Sequence, residues 1–171
     1  KDDVKMDKEV EEWIKKIEKM KKGGVDLLLD EDLSIAIMNL ISLEEHFYFT
    51  AMKTQNQKYL DHLHSVRELR KKMLEKIVTN PTGEEWCISK HLLAASMRLY
   101  EVGCKEQSKK GAKEAHQYFQ AGFELWSLFF ALNLKIIGVK ELDKNAMTEE
   151  DKKMSKFSVL MKKIVDCCKE W

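Results

Sequence analysis

Few residues in this 171-residue chain are placed to do chemistry. Glu44 shares one side of a helical segment with Leu40, Phe47 and Ala51, opposite a polar row of Asn39, Ser42, His46 and Lys53. A carboxylate on an apolar side needs a partner, because an unpaired buried charge is costly or is neutralised by a shifted pKa. Arg70 lies among Val66, Met73 and Ile77 in the next segment, and a hairpin would bring it opposite Glu44. The basic residues are 27 lysines and only three arginines, Arg67, Arg70 and Arg98. Guanidinium is a planar fork suited to bidentate pairing and lysine is not, so these arginines are expected to have particular partners. Two readings follow. Glu44 and Arg70 form an ion pair that fixes helix register, or Glu44, Arg67, Arg70 and Arg98 line a polar core pocket for an anion or small ligand.

Other chemistry is thinner. Glu44 or Glu45, Asp61-x-x-His64, Glu85 or His91, and Glu124 are the pieces of a ferritin-like di-metal oxidase. Such a site takes Glu-x-x-His from two helices, whereas this chain offers a single Asp-x-x-His, and Glu124 falls on a polar side with Lys113, Gln117 and Ser127. The metal oxidase stands as an alternative, and no metal ligand or cofactor is assigned. His62 and His64, two apart, point in different directions on a helix. The chain has no G-x-S-x-G elbow, no phosphate-binding loop and no G-x-G-x-x-G, so no catalytic residue is assigned. The cysteines, Cys87, Cys104, Cys167 and Cys168, form no C-x-x-C pair and read as reduced thiols of a cytoplasmic protein. Cys87 is expected to be inert, because Glu84 and Glu85 oppose any activation by a helix N-terminus.

The elements that would position these groups are helices throughout. Apolar residues recur every three to four positions, and no segment alternates at period two over strand length. The first helix runs over 7–22, with Val10, Trp13, Ile14, Ile17 and Met20 as its stripe and Gly23-Gly24 as its end. Asp30 is expected to cap a second helix reaching Thr54, after an apolar connector, Val25 to Leu29. Ile35, Ile41 and Tyr48 widen the apolar side of that helix and mark it as central. A third helix spans about 56–78, and the single proline, Pro81, follows it. Thr82 and Glu85 form a capping box for a fourth helix starting near Gly83. The fifth, about 112–137, is the most apolar, with Gly138 as its stop. A sixth, about 149–170, carries Met154, Phe157, Met161, Ile164 and Cys168, with Trp171 one further step along.

The fold class is all-α: an antiparallel four-helix bundle of two hairpins, core residues about 30–138, with amphipathic N- and C-terminal helices packed outside it. One domain accounts for 1–171. Between Glu124 and Lys135 lie only ten residues, half of a bilayer span, so that segment is a buried helix and no membrane is involved. A formal net charge of +1, with lysines interleaved by acids, gives no overall field for a polyanion, so nucleic acid is not indicated by charge.

Residues 95–126 resemble a tetratricopeptide-type helical hairpin. The likeness rests on Leu99-x-x-Val102-Gly103, Gly111 at the turn, then Glu114-Ala115, Tyr118-Phe119, Gly122 and Phe123-Glu124-Leu125. It implies two helices approaching closely at small residues, with aromatics filling the space between them. The bundle also resembles the HEPN class of helical domains, which implies RNA binding or processing. That class's nuclease signature, a histidine four to six residues after an arginine, follows none of Arg67, Arg70 and Arg98. The functional expectation is a non-enzymatic module that binds a protein partner or assembles with itself, with Trp13 and Trp171 as interface anchors. An RNA-binding HEPN-like domain is the alternative.

Overall fold

The computed structural model describes residues 8–139 and 160–162. Five helices follow one another: α1 (Lys8–Lys22), α2 (Leu27–Thr54), α3 (Lys58–Ile77), α4 (Glu85–Lys110) and α5 (Ala112–Asn133). Among the described residues there is no strand, as the helical spacing of apolar residues requires. α2 packs on α3, α4 packs on α5, and the two hairpins meet where α2 contacts α4. The expected sixth helix and Trp171 lie outside the described residues, apart from a helical stretch at 160–162.

One core cluster draws on every helix. It joins Val10 and Ile17 of α1, Ile37 and Ile41 of α2, Leu74 and Ile77 of α3, Leu93 of α4, and Trp126, Phe129 and Phe130 of α5, with Leu160 and Met161. α5 is the most deeply placed element, and every residue from Trp126 to Leu132 is buried. α2 departs from expectation. Of the residues that widen its apolar side, Ile41 is buried in the core, but Ile35 is 45% exposed and Tyr48 48%. An apolar stripe that exceeds the burial surface leaves a greasy outer face.

Two close approaches set the α4–α5 hairpin. A Cβ on Gly103 would stand 2.6 Å from the Phe119 ring, and one on Gly122 would stand 3.1 Å from the Ser96 carbonyl oxygen. The Ser96 hydroxyl donates to the Gly122 carbonyl at 2.6 Å, across the contact that the missing side chain permits. A side chain at Gly122 presses on the α4 backbone, and one at Gly103 requires the Phe119 ring to move.

Helix limits shift from the expected ones for identifiable reasons. α2 begins at Leu27, and its cap is Asp26, whose extended backbone lets its carboxylate accept from the Leu29 N–H at 3.1 Å. Burial of Leu27 draws that turn into the helix, so Asp30 lies inside the first turn, where partial burial and then Asp26 raise its pKa. α5 ends at Asn133, four residues before the expected limit. Lys135 adopts a left-handed conformation (φ 54°), the Ile136 N–H reaches the Ala131 carbonyl at 2.9 Å, and the Lys135 N–H reaches Leu132 at 3.1 Å. This is a Schellman closure with lysine where glycine is usual.

Candidate functional site

α2 and α3 bring Glu44 and Arg70 together. The Arg70 Nε donates to Glu44 Oε1 at 2.7 Å, and a second guanidinium nitrogen donates to Oε2 at 3.3 Å. Arg70 is 2% exposed, among the largest fully buried side chains. The fork satisfies both carboxylate oxygens, which is what a pair with one wholly buried partner requires. Arg67, one turn before Arg70 on the same side of α3, holds its guanidinium 3.7 Å from Glu44 Oε2 and is half exposed. Its charge supports the pair without a short hydrogen bond.

Arg98 goes elsewhere. From α4 it donates to Glu45, the neighbour of Glu44, and both partners are exposed. Adjacent residues on a helix point about 100° apart, so Glu44 and Glu45 serve different contacts, one with α3 and one with α4. Of the four residues expected around a polar pocket, three converge and the fourth does not. Arg98 instead borders a surface cavity of about 720 Å³ with Glu45, His46, Phe49 and Lys53. Chemically, the Glu44–Arg70 fork locks two helices in register. An incoming anion would have to compete with Glu44 for a buried guanidinium that already holds both carboxylate oxygens.

A second polar cluster was not foreseen. Glu85 Oε2 accepts from the Thr82 backbone N–H at 2.9 Å, the backward half of the expected capping box. The same oxygen takes Lys135 Nζ at 2.7 Å, from the turn that follows α5. Lys16 of α1 donates to the Lys135 carbonyl. The Lys135 ammonium, and then the Thr82 N–H, hold the Glu85 carboxyl below its ordinary range. The cluster ties together the start of α4, the end of α5 and α1. Its sequence signal was half visible in Thr82-x-x-Glu85, but the lysine lies 50 residues away.

The remaining candidates are dispersed. Asp61, His62, His64 and His91 are exposed, and Glu124 accepts from Gln120 on its own helix at 2.6 Å. Among the described residues no three His, Cys, Asp or Glu side chains are grouped to hold a metal ion. Cys87 and Cys104 are free thiols. Trp13 is half-buried and packs against the core, and Trp171 lies outside the described residues. Among the described residues no helix is long and apolar enough to cross a membrane.

Two surface features also escaped the sequence reading. The last turns of α2 display Tyr48, Phe49 and Met52 at 48%, 56% and 52% exposure, with the two rings in edge contact at 5.1 Å. Between α2, α4 and α5 runs an apolar groove of about 480 Å³. Comparison with protein-family models, curated proteins and solved structures finds no match to this chain.

Proposed function

We propose that this chain is a protein-interaction or self-assembly module without catalytic activity. In this reading its two hairpins form an antiparallel four-helix bundle in a reducing, cytoplasmic setting. The observation that carries the proposal is the exposed face of Tyr48, Phe49 and Met52 on α2. Large aromatic and methionine side chains shown together on a rigid helix are the composition of interface cores, and burying them against a partner recovers their hydrophobic free energy. Charge does not favour RNA: Arg98, beside this face, is paired with Glu45, and a formal net charge of +1 gives no overall field for a polyanion.

The test combines sedimentation over a range of concentrations with affinity capture from the source cell. Parent protein is compared with a Phe49→Ser, Met52→Lys double variant. The expected outcome is an oligomer or a stoichiometric protein partner that the double variant loses while keeping its helical circular dichroism. A chain that stays monomeric and captures nothing dependent on this face overturns the proposal.

A further inference from the structure

Toward its C-terminal end α2 carries an acid, a ring and a base at four-residue spacing, Glu45, Phe49 and Lys53, which places them in one row along the helix. Phe49 is 56% exposed, and Glu45 and Lys53 are accessible on either side of it. A second row, Tyr48 and Met52, runs beside the first and is half exposed. Both charges can take a further partner. Glu45 holds Arg98 through Oε2, and a carboxylate has a second oxygen to offer. Lys53 pairs with no acid among the described residues.

The acid and the base stand about 6 Å to either side of the ring along the helix, so the row is its own complement when reversed. A twofold axis at Phe49 lays one α2 antiparallel on another. It brings Glu45 beside the partner's Lys53, twice, and Phe49 beside the partner's Phe49. Packing the four-residue rows of two helices against each other is the commonest geometry of a helix pair. A parallel pairing would set acid on acid and base on base, and like charges so placed repel. The row selects the antiparallel arrangement.

We propose that a second copy of this chain is the partner of the exposed α2 face, docked antiparallel about Phe49 with two Glu45–Lys53 pairs across the interface. The proposal rests on the interaction reading and narrows it: Tyr48, Phe49 and Met52 supply the apolar contact, and the charges set its register.

Sedimentation of the full chain, with circular dichroism as a check on folding, tests it by charge exchange. The parent is expected to dimerise. Glu45→Lys and Lys53→Glu, each alone, bring like charges together at both ends of the row and are expected to weaken the dimer by about tenfold or more. An equimolar mixture of the two single variants is expected to associate again, because every contact between them then joins a base to an acid. That recovery would also show that neither variant had lost association through misfolding or through the contact with Arg98. A mixture that fails to recover overturns the proposal. So does a parent that stays monomeric, and the interaction reading then stands or falls on a partner of another kind that Phe49→Ser with Met52→Lys loses. A dimer that survives both charge variants but not this double variant keeps the face as an interface and overturns the second copy's antiparallel register. A dimer indifferent to all of these variants overturns both.

Discussion

At the scale of single residues, the Glu44–Arg70 fork separates two kinds of importance. A buried pair contributes little net stability, because desolvation offsets most of its attraction, yet leaving one member alone is severe. Arg70→Met is therefore expected to cost about 3–5 kcal/mol, since Glu44 then loses both of its hydrogen bonds and keeps only the more distant Arg67 beside it. Glu44→Gln with Arg70→Met is expected to recover most of that loss, and urea unfolding of the two variants measures the difference. A double variant as unstable as the single one would mean that Arg70 acts through packing of its stem. Ser34 and Trp126 show the same logic without charge. The indole N–H donates to the Ser34 hydroxyl at 2.9 Å, and that hydroxyl donates to the Glu31 carbonyl at 2.6 Å. Ser34→Ala is expected to cost about 1–3 kcal/mol by leaving the buried indole donor without an acceptor. Thermal unfolding of S34A beside a surface control, Ser65→Ala, reads that cost, and equal midpoints would mean that the indole finds another partner.

At the scale of elements, the Glu85–Lys135 contact predicts how the junction of α4 and α5 responds to acid. The carboxyl titrates below its ordinary value near 4.5 in the folded protein, because Lys135 and the Thr82 N–H favour its charged form. A group depressed on folding stabilises fully above its unfolded pKa and loses that contribution as pH falls through the folded value. Lys135 is 46% exposed, so solvent screens the pair and its worth is about 1 kcal/mol or less. The melting temperature of the parent is therefore expected to exceed that of Glu85→Gln near neutral pH, with the gap closing as pH drops below the ordinary carboxylate range. A gap that is constant across that range would remove the ion pair as its cause. Helix types were legible from sequence because the apolar period is a property of short windows. Helix ends were legible only where the deciding partner is local, as at Thr82 and Glu85. The stop of α5 is a backbone closure at Lys135, where glycine is usual, and the partner of that lysine, Glu85, lies 50 residues away. Glu44 and Arg70 could be paired in advance because a hairpin places neighbouring helices side by side. The separation of Arg98 from that pair needed the angle at which α4 meets α2.

At the scale of the whole molecule, the two hairpins are each extensively packed within themselves and meet along a narrower seam. Residue periodicity cannot report that asymmetry, since it marks which side of a helix is apolar and not what lies against it. The wide apolar side of α2 is the example: it signalled burial, and the structure spends part of it on a groove wall and part on an open face. The seam has a keystone in Trp126, which is 8% exposed, contacts the Phe123 and Phe130 rings at 5.7 and 5.1 Å, and reaches α2 through Ser34. Trp126→Ala removes these contacts at once and is expected to cost about 3–5 kcal/mol. Because the core cluster runs unbroken from α1 to α5, the loss is expected to be shared. Hydrogen exchange of Trp126→Ala should quicken in α3 peptides as much as in α4 and α5 peptides, and calorimetry should keep a single transition at lower temperature. Faster exchange confined to α4 and α5, with a second transition for α2 and α3, would show instead that each hairpin folds as its own unit and that the seam between them is a contact rather than a core.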